Sequence, residues 1–149
     1  IEYARNVLKM KDANTTEINP KTPYPVIDIM PDQRIKLARK DYGGSMRLGA
    51  YPCLLKEGTI PQEAYGTKQV SERHRHRYEI NPKYVEELEK GGIVFSGRWQ
   101  DGKLMELPKD VHPFFLGTQV HPELRARPLS PHPLFNAFIK AAIDRSRSR

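Results

Sequence analysis

The 149-residue chain predicts an α/β layered fold, and three observations carry that expectation. Apolar runs of strand character alternate with segments of helical spacing, and Gly and Pro clusters punctuate the joints. A largely apolar run, Phe114 to Val120, ends directly on His121. Alternating strand and helix patterns mark helices packed on a sheet, and ligand sites in such sheets gather beyond the carboxyl ends of strands. The length fits one domain.

Taken in order, residues 2–10 place Ala4, Val7 and Leu8 at helical spacing, with no Ser, Thr, Asp or Asn ahead of them to cap the free amides, so the chain reads as starting inside a helix. Asn19-Pro20-Lys21-Thr22-Pro23 is a turn, and residues 24–30 form an extended apolar segment. Asp41-Tyr42-Gly43-Gly44-Ser45 breaks the chain again, ahead of a strand over 46–55 that Pro52 is expected to interrupt. Residues 82–90 predict the best-defined helix. Asn81 caps it, Pro82 suits its first turn, Tyr84, Val85 and Leu88 form its apolar stripe, and Gly91 ends it. Residues 93–97 predict a strand, and Asp101-Gly102 a hairpin turn into a partner over 103–107. The run 114–120 predicts a strand buried on both faces. A final helix is expected over 133–144 with Leu134, Phe135, Phe138, Ile139 and Ile143 on its buried side. Beyond it, residues 145–149 alternate Arg and Ser with nothing to bury and are expected to be a disordered tail.

Lys and Arg number 25 against 18 Asp and Glu, a formal charge of +7. That excess permits attraction to nucleotides, phosphates or acidic surfaces without selecting one. A nucleic-acid-binding module would explain the charge, but aromatic residues are not interleaved with a basic platform as single-strand binders require. No apolar run approaches the roughly 18 residues of a membrane helix. A single cysteine excludes an internal disulfide framework, and without a signal peptide a reducing, cytoplasmic setting is expected.

Chemistry concentrates in two places. Ser71-Glu72-Arg73-His74-Arg75-His76-Arg77-Tyr78-Glu79 packs three guanidiniums and two imidazoles at alternating positions. In an extended backbone Arg73, Arg75 and Arg77 share one side and His74 and His76 the other, so one side could clamp a carboxylate. His121 and Glu123 are two residues apart. An extended backbone would aim them to one side, where the carboxylate orients the imidazole. Such a pair alone is weak evidence, since most are surface neighbours. Cys53 sits among Tyr51, Pro52, Leu54 and Leu55, an apolar strand and not a glycine-flanked turn, so it is read as a buried structural thiol. His74, His76 and His121 fall short of a closed zinc set, and no metal is expected. His112 and His132 each precede a proline and are assigned turn-stabilising roles.

The run from Glu72 to Glu79 resembles a signature of the glutamine amidotransferase domain of the CTP synthase family. The resemblance extends to Ala13-Asn14-Thr15-Thr16-Glu17, Gly43-Gly44-Ser45-Met46-Arg47-Leu48-Gly49, Gln119-Val120-His121-Pro122-Glu123 and His132-Pro133-Leu134-Phe135, in the family's order. It implies a three-layer, flavodoxin-like class I amidotransferase domain with its N-terminal part missing. The nucleophilic cysteine would lie about eight residues ahead of Ile1 on a Gly-x-Cys-x-Gly elbow, so these residues alone are expected to hydrolyse no glutamine. His121 and Glu123 would complete a Cys-His-Glu triad. Glu17 corresponds to the acid that binds the α-ammonium of glutamine and Arg77 to the arginine that binds its carboxylate. Arg47 lies in the motif that resembles a loop associated in the family with activation by GTP and with the domain interface; a glycine turn leading into a strand is the alternative reading. The same resemblance implies a synthetase domain that uses ATP and Mg²⁺ to convert UTP to CTP with the released ammonia, and a homotetrameric parent enzyme. Ser45, Val120 and Leu124 depart from the family's usual residues, and the segment Leu104 to Leu107 is shorter than its usual acidic strand. An amidotransferase of another pathway, such as GMP synthesis, also carries His-Pro-Glu, but the Arg73 to Arg77 run argues against it. A catalytically silent regulatory remnant differs only in what precedes Ile1.

Overall fold

The computed structural model describes residues 1–30, 35, 46–99 and 102–148. In chain order its elements are α1 (Glu2–Asn6), β1 (Asn14–Thr15), β2 (Pro25–Ile29), β3 (Arg47–Leu55), α2 (Ile60–Tyr65), β4 (Gln69–His76), β5 (Tyr78–Ile80), a 3₁₀ turn (Pro82–Tyr84), α3 (Val85–Lys90), β6 (Val94–Trp99), β7 (Gly102–Glu106), β8 (Leu116–Thr118), a further 3₁₀ turn (Pro122–Leu124) and α4 (Pro133–Arg147). The chain divides into two compact units, Ile1–Leu48 with Arg75–Gly92, and Gly49–His74 with Ile93–Arg149. The expected break at Asp41 to Ser45 and the first residue of the Asp101-Gly102 turn lie outside the described residues.

The first unit is built on a three-stranded sheet of order β1-β2-β5. β1 runs parallel to β2, and β5 antiparallel to it with Ile27 opposite Ile80 and Ile29 opposite Tyr78. Its core is Ala4, Met10, Ala13 and Val26, with Leu8, Ile27 and Tyr84 packed around them. The first helix is shorter than its periodicity suggests. It ends at Asn6, and Lys9 and Asp12 take left-handed backbone angles, φ 59° and 65°, that turn the chain back so that Met10 and Ala13 reach the core. Burial here outweighs the cost of that backbone conformation for non-glycine residues. Arg5 Nε supports the reversal by donating to the Ala13 carbonyl at 2.6 Å. Asn81 caps as expected, accepting from the Lys83 amide at 3.1 Å, while its Nδ2 donates to the Pro25 carbonyl at 2.9 Å.

The second unit carries a five-stranded sheet of order β4-β3-β6-β7-β8. The described pairings of β3 with β6, β6 with β7 and β7 with β8 are antiparallel. β3 runs on through Pro52, contrary to the expected interruption. Its register with β6 engages Leu54 and Leu55, past the proline, so the ring removes no bond from those pairs. A bulge at Ser96 bends β6 between Phe95 and Gly97. The core comprises Cys53, Leu55, Leu104 and Val120, with Tyr65, Val70 and Leu116 against it. An antiparallel bridge joins His74 to Val120, so the chain leaving one edge strand, β8, returns to the other, β4. The sheet therefore curls until its edges meet.

Further expectations fail in this unit. The run 114–120 is not a strand buried on both faces. Only Leu116–Thr118 is strand, at a sheet edge and half-buried, and Phe115 is exposed. The last helix buries Leu134 alone of its five apolar positions, while Phe135, Phe138, Ile139 and Ile143 are exposed. Helical spacing reveals which face is apolar but not what lies against it. The helix also runs three residues past Asp144 to Arg147, against the expected disordered tail. Arg145 and Arg147 sit in its last turn, where cations complement the helix dipole.

Candidate active site

The curl of the second sheet delivers His121. Val120 anchors it from below, buried in the core, with its amide bonded to Thr118 Oγ1 at 3.0 Å. The His121 amide donates to the Arg73 carbonyl at 2.9 Å, tying the residue to β4. Buried Pro122 then opens a 3₁₀ turn that the Leu124 amide closes onto the His121 carbonyl at 3.1 Å. That turn, and not the extended backbone expected, brings the two side chains together. His121 Nδ1 lies 2.6 Å from Glu123 Oε1. The carboxylate can only accept, so Nδ1 carries the proton and Nε2 is left with a lone pair. The hydrogen bond from His121 is the main reason the Glu123 carboxyl sits below its ordinary range. The histidine side chain is 34% exposed and the glutamate 56%, so the pair faces solvent or a ligand.

Next to this turn lies a group that the sequence did not single out. Glu72 is 2% exposed, and its Oε1 accepts from Tyr65 Oη, Arg125 Nη1 and His132 Nε2, each at 3.1 Å. The His132 tautomer follows from its other nitrogen. Nδ1 accepts the Leu134 amide at 3.3 Å as the cap of α4, so Nε2 bears the proton and donates to Glu72. His132 therefore does more than stabilise a turn. Burial, then the neighbouring Glu72 charge, pushes the Tyr65 phenol well above its usual range and keeps it a donor. The signal available in sequence was Glu72 alternating with His74 on the inner face of β4, where both are buried while Arg73 and Arg75 are exposed.

Glu17 and Arg77 belong to the first unit. Glu17 is exposed two residues past β1, with its amide bonded to Thr15 Oγ1 at 3.2 Å. Arg77 immediately precedes β5 and is half-buried, its carbonyl accepting the Met30 amide at 3.1 Å. β5 is antiparallel to β1 and β2, so both residues stand at one end of that sheet, beyond the carboxyl ends of β1 and β2. Arg47 starts β3 and is buried at 8% exposure, while Gly43, Gly44 and Ser45 of its motif lie outside the described residues. Cys53 is fully buried, and desolvation lifts its thiol to about 12, as a structural cysteine requires. His112 Nδ1 accepts the Phe114 amide at 3.2 Å, the turn role expected. Among the described residues no three His, Cys, Asp or Glu side chains gather to hold a metal, and no helix is long and apolar enough to cross a membrane. A groove of about 860 Å³ along α2 and α4 is lined by neither His121 nor Glu123.

An imidazole oriented by a carboxylate just past the end of a strand is an arrangement suited to moving a proton at Nε2. The family described as glutamine amidotransferase class-I matches residues 2–141. The chain belongs to that family, and its α/β fold is the family's. It is 53% identical over 147 residues to a CTP synthase of Acidothermus cellulolyticus, covering 96% of this chain and 26% of that one. It is 54% identical over 144 residues to a CTP synthase of Rubrobacter xylanophilus, covering 96% and 25%. The chain thus spans about a quarter of the length of these curated relatives. Among solved structures, the glutaminase domain of Trypanosoma brucei CTPS with bound acivicin superposes with a TM-score of 0.84 at 34% identity, over 97% of this chain and 55% of that one.

Proposed function

We propose that this chain is the portion of a CTP synthase glutaminase domain that supplies the proton-handling pair and the glutamine-recognising charges. The observation that carries the reading is the 2.6 Å contact between His121 Nδ1 and Glu123 Oε1, which leaves Nε2 as a base. In the proposed reaction His121 Nε2 takes the proton of a cysteine thiol supplied from outside these residues, and the thiolate attacks the amide carbon of glutamine. The same nitrogen then returns the proton to the departing ammonia, and water, deprotonated in turn, cleaves the glutamyl thioester. Glu123 holds the tautomer and stabilises the imidazolium. Glu17 meets the α-ammonium of glutamine, and Arg77 grips its carboxylate as a planar fork. The ammonia serves a synthetase domain in which UTP, activated by ATP with Mg²⁺, becomes CTP. No residue of this chain is assigned to that metal. GTP sensitivity through Arg47, a homotetrameric parent and a cytoplasmic setting complete the proposal.

The test is His121→Ala in the complete polypeptide that carries this chain. Glutamine-driven CTP formation should fall at least about 10³-fold, as for loss of a triad member, while formation driven by added ammonia stays intact. Glutamine-driven activity within about tenfold of the unsubstituted enzyme would refute the assignment, given the size of that effect.

A further inference from the structure

We propose that Glu72, acting through Arg125, is the positioning residue of the His121–Glu123 pair; the inference rests on the proton-handling role proposed above. The turn that carries the pair has little core of its own. Val120 and Pro122 are buried, but Glu123, Leu124 and Arg125 are exposed. Backbone bonds close the turn internally, the Leu124 amide onto the His121 carbonyl at 3.1 Å and the Arg125 and Ala126 amides onto the Pro122 carbonyl at 3.0 Å, so what its two end anchors set is its seat on the sheet, and both anchors lie on β4. At the near end, the His121 amide bonds to the Arg73 carbonyl at 2.9 Å and Val120 bridges to His74. At the far end, Arg125 Nη1 bonds to the Ser71 carbonyl and, at 3.1 Å, to Glu72 Oε1. The turn is an arch whose feet stand on neighbouring residues of one strand.

The far foot holds because Glu72 is itself fixed. A buried carboxylate must be compensated by donors, and removing one leaves a charge stranded. Its other donors come from two helices, Tyr65 at the last residue of α2 and His132 at the cap of α4. One oxygen atom therefore ties the arch to β4, α2 and α4 together. The contact calls for arginine, because one guanidinium nitrogen reaches a backbone carbonyl and a carboxylate at once from a rigid plane, whereas a lysine offers a point charge on a flexible stem. Loss of the far foot frees the turn to shift on β4 and moves Glu123 and His121 off the reacting atoms. A displacement of about 1 Å costs on the order of 10²-fold in rate.

The experiment uses the complete polypeptide with Arg125→Met, Arg125→Lys, Glu72→Gln and the pair Arg125→Met with Glu72→Gln, assayed with glutamine and separately with ammonia. Arg125→Met should lower kcat for glutamine about 10- to 100-fold with KM within about twofold, because Arg125 supports the pair and is none of the groups assigned to binding glutamine. Arg125→Lys should recover part of the loss, and ammonia-driven turnover should not change. Adding Arg125→Met to Glu72→Gln should cost less than about twofold more, since the two act as one unit. The proposal fails if Arg125→Met leaves kcat unchanged, if the loss lies in KM, if ammonia-driven turnover falls in parallel, or if the two substitutions multiply. His121→Ala separates the two claims. An active His121→Ala enzyme sinks the reading of the site, whereas an inactive one beside a fully active Arg125→Met enzyme sinks only the positioning role.

Discussion

Cys53 offers the sharpest quantitative test, because it is the only thiol in the chain and the tempting nucleophile. It is fully buried among Leu55, Leu104 and Val120, and its thiol sits at about 12 against an ordinary 9.0. At pH 8 the thiolate fraction is then about 10⁻⁴, compared with about 10⁻¹ for an ordinary thiol. Only the thiolate is alkylated, so ionisation alone slows native labelling about 10³-fold. Occlusion slows it further, until labelling passes through opening of the unit. The assay is iodoacetamide labelling at pH 8 followed by mass spectrometry of the Cys53 peptide, with and without urea. Native labelling should be at least about 10³-fold slower than labelling of the unfolded chain, and glutamine should not alter it. A native rate within tenfold of the unfolded one, or protection by glutamine, would refute the structural assignment and reopen Cys53 as a reactive group.

Gly97 faces Cys53 and Leu104 across the sheet, and a Cβ there would lie 2.5 Å from Leu104 Cδ1 and 3.1 Å from Cys53 Sγ. Gly97→Ala should destabilise the protein by about 1–3 kcal/mol through crowding, read as a lower urea midpoint with an unchanged slope. A neutral or higher midpoint would show that the core has room to yield. Glu123 has its carboxyl lowered in the fold, so its bond to His121 is fully present above the ordinary value of 4.5 and is lost as pH falls through the lowered one. An NMR titration of the Glu123 side chain should give a midpoint below 4.5, and His121→Ala should return it upward. A midpoint at or above 4.5 in the unsubstituted protein contradicts the paired geometry.

Much of the local chemistry was legible in residues alone. Asn81-Pro82 caps a helical turn, Cys53 in an apolar setting is buried, and the alternation from Arg73 to Arg77 sets the guanidiniums and the imidazoles on opposite sides of an extended backbone, because each depends on backbone preference or on a period of two; which side is buried was not legible. His121 and Glu123 do meet, though not in the way their spacing suggests. Their spacing suits an extended chain, but Pro122 opens a 3₁₀ turn, and the carboxylate reaches Nδ1 from within that turn. The apolar runs misled at 114–120 and along α4, since a run of apolar residues says that surface wants cover and not which surface supplies it.

By itself the sequence determined the capped turn and helix after Asn81, the strands near 93–97 and 103–107, the histidine and carboxylate fit for proton transfer, and the motifs that mark a class I amidotransferase. Only tertiary structure decided that the second sheet curls edge to edge through His74 and Val120, and that Glu72 is shared by Arg125 and His132. Those partners lie 53 and 60 residues away along the chain. The reason is physical: propensity, capping and periodicity act over a few residues, whereas the compensation of a buried charge depends on which distant elements the packed core brings within 3 Å or so of it.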